Sequence, residues 1–324
     1  MSTGDSERAT KRPREDEEAP QEIIRSADYW FSDGSIVLQP ESTQFRVAKS
    51  MLAMHSTVFR DMLSLPPTEE PLVEGCPVVL LPGDKADDWK HLLDAMHPKS
   101  TLVQEPPLLA HVCAILRLSK KYDIAPFRRS CIEVIKNTYP SLLKDFDEGA
   151  DADFSDPDFE NMAFDVRIIN FAREIGLYSV LPIAFYIIAT ARLDDGIEQS
   201  DFSALGLVDQ VHVLRGRVKL TESYLDTPLK WLDTKNGCVP CESCSQPETC
   251  HAAASRLLTD LIRRAYRVVP VLDDWSDDWD NVCCRECTTG AKQVYETARV
   301  ECWGKLPSYF DLPPWDELLR MDLE

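Results

Sequence analysis

Apolar and polar positions in the first half of the chain follow two different periods. Three short apolar runs bounded by turn residues predict strands, at 35–39, 43–47 and 77–82. Four further stretches repeat their apolar positions at helical spacing and predict helices, at 51–63, 84–96, 109–116 and 124–135. The resulting order, β-β-α-β-α-α-α, indicates an α+β fold with a small sheet and differs from a nucleotide-binding βαβ array.

Two charge-dense segments frame this region. Residues 1–26 are polar and poor in aromatics, which predicts a disordered tail. Residues 141–160 are rich in acidic side chains, which predicts a solvated linker. Further along, apolar faces at helical spacing predict helices near 164–175, 182–192, 208–218, 224–232 and 252–266. We therefore expect one domain at 27–140 and a mostly α-helical C-terminal domain at 161–324.

The residues of the first domain resemble those of a known family. YWFSDGSIVLQPESTQFRVAKSMLAMHSTVFRDML (29–63) resembles the opening of a BTB/POZ domain, and LLAHVCAILRLSKKYDIAPFRRSCIEVI (108–135) resembles its closing helices. Within the second stretch, LRLSKKYDI (116–124) is similar to the version found in fungal, basidiomycete-like members. CWGKLPSYFDLPPWDELL (302–319) resembles the closing segment of those fungal proteins.

Two positions depart from the pattern of that family. Ala48 stands where members usually have a histidine after the second strand, although Lys49 keeps the neighbouring basic position. Ser35 stands where they usually have an acidic residue, and Asp33 lies two positions earlier. In many members these acidic and basic side chains form a charged pocket near the dimer groove. The resemblance therefore implies the fold, and it does not carry over that pocket.

What the resemblance implies is a role in protein–protein interaction, through a homodimer or through capture of a protein partner. The candidate interaction residues are apolar or amphipathic positions of the first helical region, Met51, Met54 and Phe59. Similar domains act as adaptors for cullin-type ubiquitin ligases or as scaffolds for transcriptional complexes. The chain has no local motif that separates these two roles.

Charge and hydropathy limit which kinds of partner and which cellular compartment the sequence predicts. With 35 basic and 55 acidic residues the formal charge is −20, which argues against a nucleic-acid or membrane-surface partner. The N-terminal stretch lacks the apolar core of a secretory signal. The longest apolar run, 177–189, is too short to span a bilayer. We expect a cytoplasmic or nuclear protein, with Lys11, Arg12 and Arg14 as candidates for an import signal.

Catalytic signatures are missing from the sequence. It contains no G-x-S-x-G, G-x-G-x-x-G, Walker or H-E-x-x-H motif, and its six histidines are scattered. Adjacent acids such as Asp87 and Asp88 point apart on a helix and make poor acid–base partners. The sequence therefore favours a protein without enzymatic activity.

Seven of the eleven cysteines fall in two clusters, CVPCESCSQPETCH (238–251) and CCREC (283–287). Thiols inside the cell stay reduced, and two C-x2-C knuckles supply the four sulfur ligands of a structural zinc site. We expect zinc on one knuckle from each cluster, formed by Cys241, Cys244, Cys284 and Cys287. Four further residues of the clusters are alternates: Cys238, Cys250, His251 and Cys283.

The surplus of ligands leaves three outcomes open: one structural zinc ion, two zinc ions or another metal, or no metal. A zinc site also admits an alternative function, that of a zinc-dependent nucleic-acid-binding transcriptional regulator. Its candidate contacts are arginines on one face of the helix after the first cluster, Arg256, Arg263, Arg264 and Arg267. Asp260 interrupts that face, and the acidic composition argues against this alternative.

Overall fold

The computed structural model describes residues 22–65, 72–97, 106–149, 154–159, 161–191, 199–233, 238–265 and 271–323. The chain divides into two units, residues 1–97 and residues 98–324. Hydrophobic clusters of buried side chains lie within each of them.

The N-terminal unit combines a sheet with helices. Its strands are β1 (Ile24–Trp30), β2 (Ile36–Gln39), β3 (Thr43–Val47), β4 (Leu72–Val73) and β5 (Cys76–Leu80). Its helices are α1 (Lys49–His55), α2 (Thr57–Ser64) and α3 (Ala86–Met96). The strands lie in the order β1-β3-β2-β5-β4. β2 pairs antiparallel with β3 and parallel with β5, and β1 joins the outer side of β3 in parallel.

Apolar side chains fill the centre of this unit. Leu38 of β2 lies opposite Phe45 of β3, and both are buried. Phe59 of α2 meets Trp89 of α3 edge to face, with ring centroids 5.8 Å apart. Because both of these rings are also fully buried, they anchor the helices in the hydrophobic core.

The turn between β4 and β5 is encoded by Glu74-Gly75. Both residues have positive φ angles, 52° and 77°, as a two-residue hairpin turn with glycine requires. The Glu74 carboxylate pairs with Arg25 of β1 at 2.7 Å and with Arg46 of β3 at 2.9 Å. These ion pairs tie the hairpin turn to the other half of the sheet.

The N-terminal region departs from its prediction in two places. The helix predicted at 51–63 is two helices, because Ser56 has an extended backbone and its Oγ accepts a hydrogen bond from the Phe59 N–H at 3.0 Å. The tail predicted at 1–26 extends too far, since β1 begins at Ile24 and pairs with β3. Strand pairing uses backbone groups, so it does not need an apolar sequence.

Ten helices account for most of the described part of the C-terminal unit. They are α4 (Leu109–Lys121), α5 (Ala125–Thr138), α6 (Leu143–Glu148), α7 (Met162–Ile175), α8 (Leu181–Thr190), α9 (Gln199–Ser203), α10 (Leu207–Asp226), α11 (Pro247–Ala265), α12 (Arg285–Tyr309) and α13 (Trp315–Met321). Short 3-10 turns lie at Tyr178–Val180, Pro228–Leu232 and Asp277–Trp279. This composition agrees with the predicted helical C-terminal part.

Helix α8 contributes heavily to the core of the C-terminal unit. Leu181 and Phe185 are fully buried, in keeping with a core helix for the apolar run 177–189. Leu116 of α4 and Ile135 of α5 belong to the same hydrophobic cluster. The closing helices of the domain predicted at 27–140 therefore share a core with the helices that follow them.

The acidic segment 141–160, expected to be a solvated linker, is partly built into this unit. It contains α6, whose Phe146 packs against Trp303 of α12 with ring centroids 5.4 Å apart. Asp147 forms an ion pair with Arg299, which is buried. The density of acidic residues predicted that the whole segment would be solvated. Phe146 and Asp147 instead contact Trp303 and Arg299 of α12.

The C-terminal segment packs through aromatic side chains. Phe310 lies directly against α10 at Gly216, where an added Cβ would stand 2.2 Å from the Phe310 ring. Trp303 and Trp315 stack with ring centroids 5.5 Å apart and an interplanar angle of 13°. A residue larger than glycine at position 216 would displace the Phe310 ring.

Neither unit has a described helix that is both long and apolar enough to cross a membrane. The candidates for an import signal, Lys11, Arg12 and Arg14, lie outside the described residues. The expected cytoplasmic or nuclear localisation therefore stays a prediction.

Candidate metal centre

Two cysteine-bearing segments meet at the N-termini of α11 and α12. Cys244 lies in a turn just before α11, and Cys250 lies in the first turn of that helix. Pro247 begins α11, a position at which proline is favoured. Cys284 is the N-cap of α12, and Cys287 follows in the first turn. The two helix starts thus bring together thiols that are distant in sequence.

Four sulfur atoms converge at this point. The Sγ atoms of Cys244 and Cys284 are 3.7 Å apart. Each Sγ of the set lies within 4.8 Å of the other three: Cys244, Cys250, Cys284 and Cys287. Zinc–sulfur bonds of about 2.3 Å in a tetrahedron place neighbouring sulfurs about 3.8 Å apart. The spacing and the soft donor set therefore suit zinc.

Backbone amides point at two of these sulfurs. The N–H of Cys284 donates to the Sγ of Cys250, and the N–H of Cys241 donates to the Sγ of Cys287, both at 3.3 Å. Cys250 and Cys287 also lie in the first turns of their helices, where the helix dipole favours negative charge. Both effects stabilise thiolates, the form in which cysteine binds metal.

Burial opposes thiolate formation at several of these groups. The pKa of Cys287 is raised above its ordinary value and that of Cys283 is raised to about 12, in both cases mainly by desolvation. The pKa of Cys284 is lowered, chiefly by the nearby backbone amide of Cys287. A bound metal would displace the remaining thiol protons, so metal binding here releases protons.

Three of the four predicted ligands, Cys244, Cys284 and Cys287, are in the converging set, and Cys250 completes it. The fourth predicted ligand, Cys241, lies beside the set, with its Sγ 3.5 Å from that of Cys287. The C-x2-C pattern favoured Cys241 over Cys250. Pro247 was the available signal, because a helix that starts there carries Cys250 back toward Cys244 in its first turn.

The remaining alternates have different surroundings. The Sγ of Cys238 lies 4.0 Å from the carbonyl oxygen of Trp231, and His251 is exposed to solvent. The Sγ of Cys283 lies 3.8 Å from the Cys250 carbonyl oxygen. Of these three, Cys283 has the clearest contact with the converging thiols.

Aromatic residues pack against α12 at Tyr295. Trp275 contacts Trp231 and Trp279 with ring centroids 5.0 and 5.1 Å apart. Its indole N–H donates to Asp280 at 2.8 Å, and Asp280 pairs with Lys292 of α12 at 2.7 Å. This packing restrains the segment that carries the second cysteine cluster.

The candidate interaction residues of the N-terminal unit differ in exposure. Met54 is 71% exposed and Met51 is partly buried. Phe59 is 1% exposed and packs against Trp89. Phe59 is therefore a core residue, and Met54 is the most accessible of the three.

At the position of the family's charged pocket, Ser35 forms a neutral contact. Its Oγ accepts a hydrogen bond from the backbone N–H of Lys49 at 3.0 Å. Ala48, the residue that replaces the usual histidine, is the N-cap of α1 and provides no side-chain hydrogen bond to the helix. The hydroxyl of Ser35 thus fixes the start of α1.

The arginine face of α11 is only partly described. Arg256 and Arg263 are exposed, and Asp260 between them is exposed as well. The side chain of Arg264 and the whole of Arg267 lie outside the described part of the chain. The described face is therefore of mixed charge.

Comparison with known proteins identifies the first region. Residues 26–139 match the BTB/POZ domain family. The match runs from β1 to the end of α5 and so continues past the division at residue 97. No curated protein matches the chain. The chain thus contains a BTB/POZ domain, a class of domain that mediates protein–protein interaction and homodimerisation.

Proposed function

We propose that this chain is a non-enzymatic protein-interaction module, in which the BTB/POZ domain self-associates or captures a protein partner. The match of residues 26–139 to that domain family is the observation that carries the proposal. A thiolate-bound structural zinc holds the helical C-terminal region in shape. The similarity of 116–124 and 302–319 to fungal members supports a protein of that type.

The interaction surface lies on the α1–α2 region. Met54 is 71% exposed, Val58 is 42% exposed and Leu65, just after α2, is 67% exposed. These three exposed apolar side chains fall within residues 54–65, and exposed apolar patches mark protein-interaction surfaces. Phe59 supports this surface from beneath, since it is buried against Trp89.

The zinc has a structural role. A catalytic zinc keeps an open coordination position, whereas four cysteine sulfurs fill a tetrahedral site. Binding energy at such a site is folding energy, because the unfolded chain does not preassemble the ligands. Zinc on Cys244, Cys250, Cys284 and Cys287 joins the segment before α11 to the start of α12.

Two downstream roles follow from a BTB/POZ domain of this kind, adaptor for a cullin-type ligase and scaffold for a transcriptional complex. Co-purification of a cullin scaffold with the full chain separates the first from the second. No described feature favours the nucleic-acid alternative, because the net charge is −20 and Asp260 interrupts the exposed arginines Arg256 and Arg263.

The first test is the mass of the full chain in solution, measured by light scattering over a range of concentrations. We expect a dimer, and we expect Met54→Asp to weaken association about tenfold or more, because it places a charge in an apolar interface. Leu80→Asp is the matched control, since Leu80 is 67% exposed and belongs to β5, outside the α1–α2 region.

The measured masses distinguish self-association through α1–α2 from the other possibilities. A wild-type chain that stays monomeric at high concentration contradicts self-association through this domain. A dimer that is weakened by Leu80→Asp and unaffected by Met54→Asp moves the interface from α1–α2 to the β5 face. Circular dichroism on both variants checks that the fold is kept.

A further inference from the structure

Helix α10 is apolar on two opposite sides. One side packs into the core of the C-terminal unit, where Val213, Leu220 and Tyr224 are each 3% exposed or less. Gly216 belongs to the same side and lies against Phe310. A helix that is apolar all round is ordinarily buried all round, so the second apolar side of α10 calls for a partner.

The second side forms an exposed stripe along about three turns of the helix. Four apolar residues follow one another at spacings of four, three and four: Leu207, Val211, Leu214 and Val218. They are 79%, 44%, 57% and 58% exposed, and Val208 beside them is 66% exposed. Side chains at these spacings share one face of a helix. Contiguous exposed apolar side chains, unlike scattered ones, mark an interaction surface.

The spacing and the residue types of the stripe match the seam of a coiled coil. Alternating spacings of three and four are those of heptad positions a and d. Val211 and Val218 take position a, and Leu207 and Leu214 take position d. In parallel coiled coils, a β-branched residue at a with leucine at d favours two strands. The stripe therefore suits one partner helix with the same kind of seam.

We propose that α10 pairs with α10 of a second copy of this chain, with the stripe of each helix packed against the stripe of the other. A two-fold axis brings the same surface of both copies into contact, so a single self-complementary seam is enough. This contact goes beyond the proposed function, because it uses residues of the C-terminal unit and none from α1 or α2.

The charge of α10 favours a second copy as the partner. The helix contains three basic and three acidic residues, so its net charge is zero, whereas the whole chain carries −20. Two copies of an acidic chain repel each other on average. A neutral helix with an apolar stripe is a place where they can approach without that repulsion, and it offers no charge match to a strongly basic or acidic partner.

The exposed area is sufficient for a specific contact. At about 25 cal/mol per Å², the transfer energies of leucine and valine side chains imply about 300 Å² of apolar surface on the five exposed residues of one chain. Two such faces bury about 600 Å² of apolar surface. Because about three-fifths of an interface is apolar, the whole contact covers about 1,000 Å², the lower end for a specific interface. We therefore expect a dissociation constant of about micromolar or weaker for this contact alone.

Sedimentation velocity of the full chain over a range of concentrations measures the dissociation constant of the dimer. Leu214→Glu, in the middle of the stripe, should weaken dimerisation about tenfold or more, because it places a carboxylate from each copy in the apolar seam. Val300→Glu is the matched control. Val300 is 61% exposed and belongs to α12, so the same change outside the stripe should leave the dissociation constant unchanged.

A second variant should change dimerisation in the opposite direction. Thr221 occupies the next d position of α10 and is partly buried. Thr221→Leu extends the apolar seam and should strengthen dimerisation about threefold or more, because each copy then buries additional apolar surface. Misfolding does not produce such a gain. Circular dichroism checks that Leu214→Glu keeps the helix content of the wild-type chain.

The effects of Leu214→Glu and Met54→Asp, measured singly, separate the α10 contact from the α1–α2 contact of the proposed function. If Leu214→Glu leaves the dissociation constant unchanged, pairing through α10 is wrong, and the α1–α2 contact is unaffected by that result. A helix of another protein as the natural partner of the stripe gives this same outcome with the purified chain. If Met54→Asp has no effect and Leu214→Glu abolishes the dimer, pairing through α10 is supported and the α1–α2 contact is wrong.

Discussion

In the N-terminal unit, Phe59 and Trp89 are buried in an apolar core beside a five-stranded sheet. In the C-terminal unit, the starts of α11 and α12 bring Cys244, Cys250 and Cys284 together as a candidate metal site. Apolar burial contributes stability in proportion to area, whereas a thiolate cluster contributes it only when metal is bound. The two regions should therefore respond differently to the same perturbation.

Metal removal should produce the largest effect. A structural zinc site of this type contributes on the order of 10 kcal/mol at neutral pH, so chelation should unfold the segment before α11 and the start of α12. Hydrogen exchange followed by mass spectrometry should show fast exchange in 238–265 and 283–290. Peptides from β2 and β3 should keep their protection, because none of the candidate metal ligands Cys244, Cys250, Cys284 and Cys287 belongs to the N-terminal unit.

A matched control is to add zinc back after the chelator has been removed, which should restore slow exchange in the same peptides. Equal loss of protection in β2 and β3 would show that the two regions unfold as one cooperative body. Unchanged exchange in both regions would contradict a structural role for metal in this protein.

The contrast between the two regions also explains what the sequence could predict. β3 was predicted at its observed bounds, Thr43–Val47. Apolar and polar positions alternate along this run, and turn residues precede it. β1 was missed because its residues are mostly polar and exposed, and its contribution to the sheet comes from backbone pairing with β3. Periodicity reports side-chain burial, so an exposed edge strand gives little signal.

The candidate metal site was predictable in its chemistry and only partly in its ligands. Cysteine clustering indicated zinc and named Cys244, Cys284 and Cys287. The position of Cys250 depends on where α11 starts, and that of Cys241 on the turn before it. When a chain has more cysteines than one metal ion needs, the distances between sulfur atoms in the folded structure decide which of them bind. Spacing along the sequence is a weak guide to those distances.

The buried ion pair of α12 should produce a smaller effect than the metal. Arg299 is 4% exposed, donates to the Leu272 carbonyl at 2.6 Å, and pairs with Asp147 and Asp274. Arg299→Met should lower the free energy of unfolding by about 3 kcal/mol, the low end for a broken buried pair, because both carboxylates retain contact with water. Urea titration of the full chain measures this change.

Lys305→Met on the same helix is the matched control. Lys305 pairs with Glu301 at i,i+4, and both side chains are more than half exposed. Such an exposed pair contributes about 0.5 kcal/mol or less to the free energy of unfolding, so its loss should change stability little. Equal effects of the two substitutions would mean that the Arg299 cluster does not anchor α6 to α12.

The smallest predicted effect is a pH dependence that originates in the C-terminal unit, away from the cysteines. Asp165 of α7 accepts a hydrogen bond from the Tyr139 hydroxyl at 2.7 Å, and burial raises its pKa from 3.8 to about 7. The folded chain therefore binds an extra proton between these values, so stability falls as pH rises toward 7 and then levels off. Between pH 6 and pH 8 the free energy of unfolding should drop by about 1.4 kcal/mol from this group alone.

Asp165→Asn tests the assignment of that pH dependence, because the amide keeps an acceptor for Tyr139 and cannot ionise. Urea titrations of both proteins at pH 6 and pH 8 should show a smaller loss of stability in the variant, by about 1.4 kcal/mol. The same loss in both proteins would assign the pH dependence to other groups. Since Asp165 lies outside the cysteine cluster, a persistent difference at saturating zinc would separate this proton from those released by metal binding.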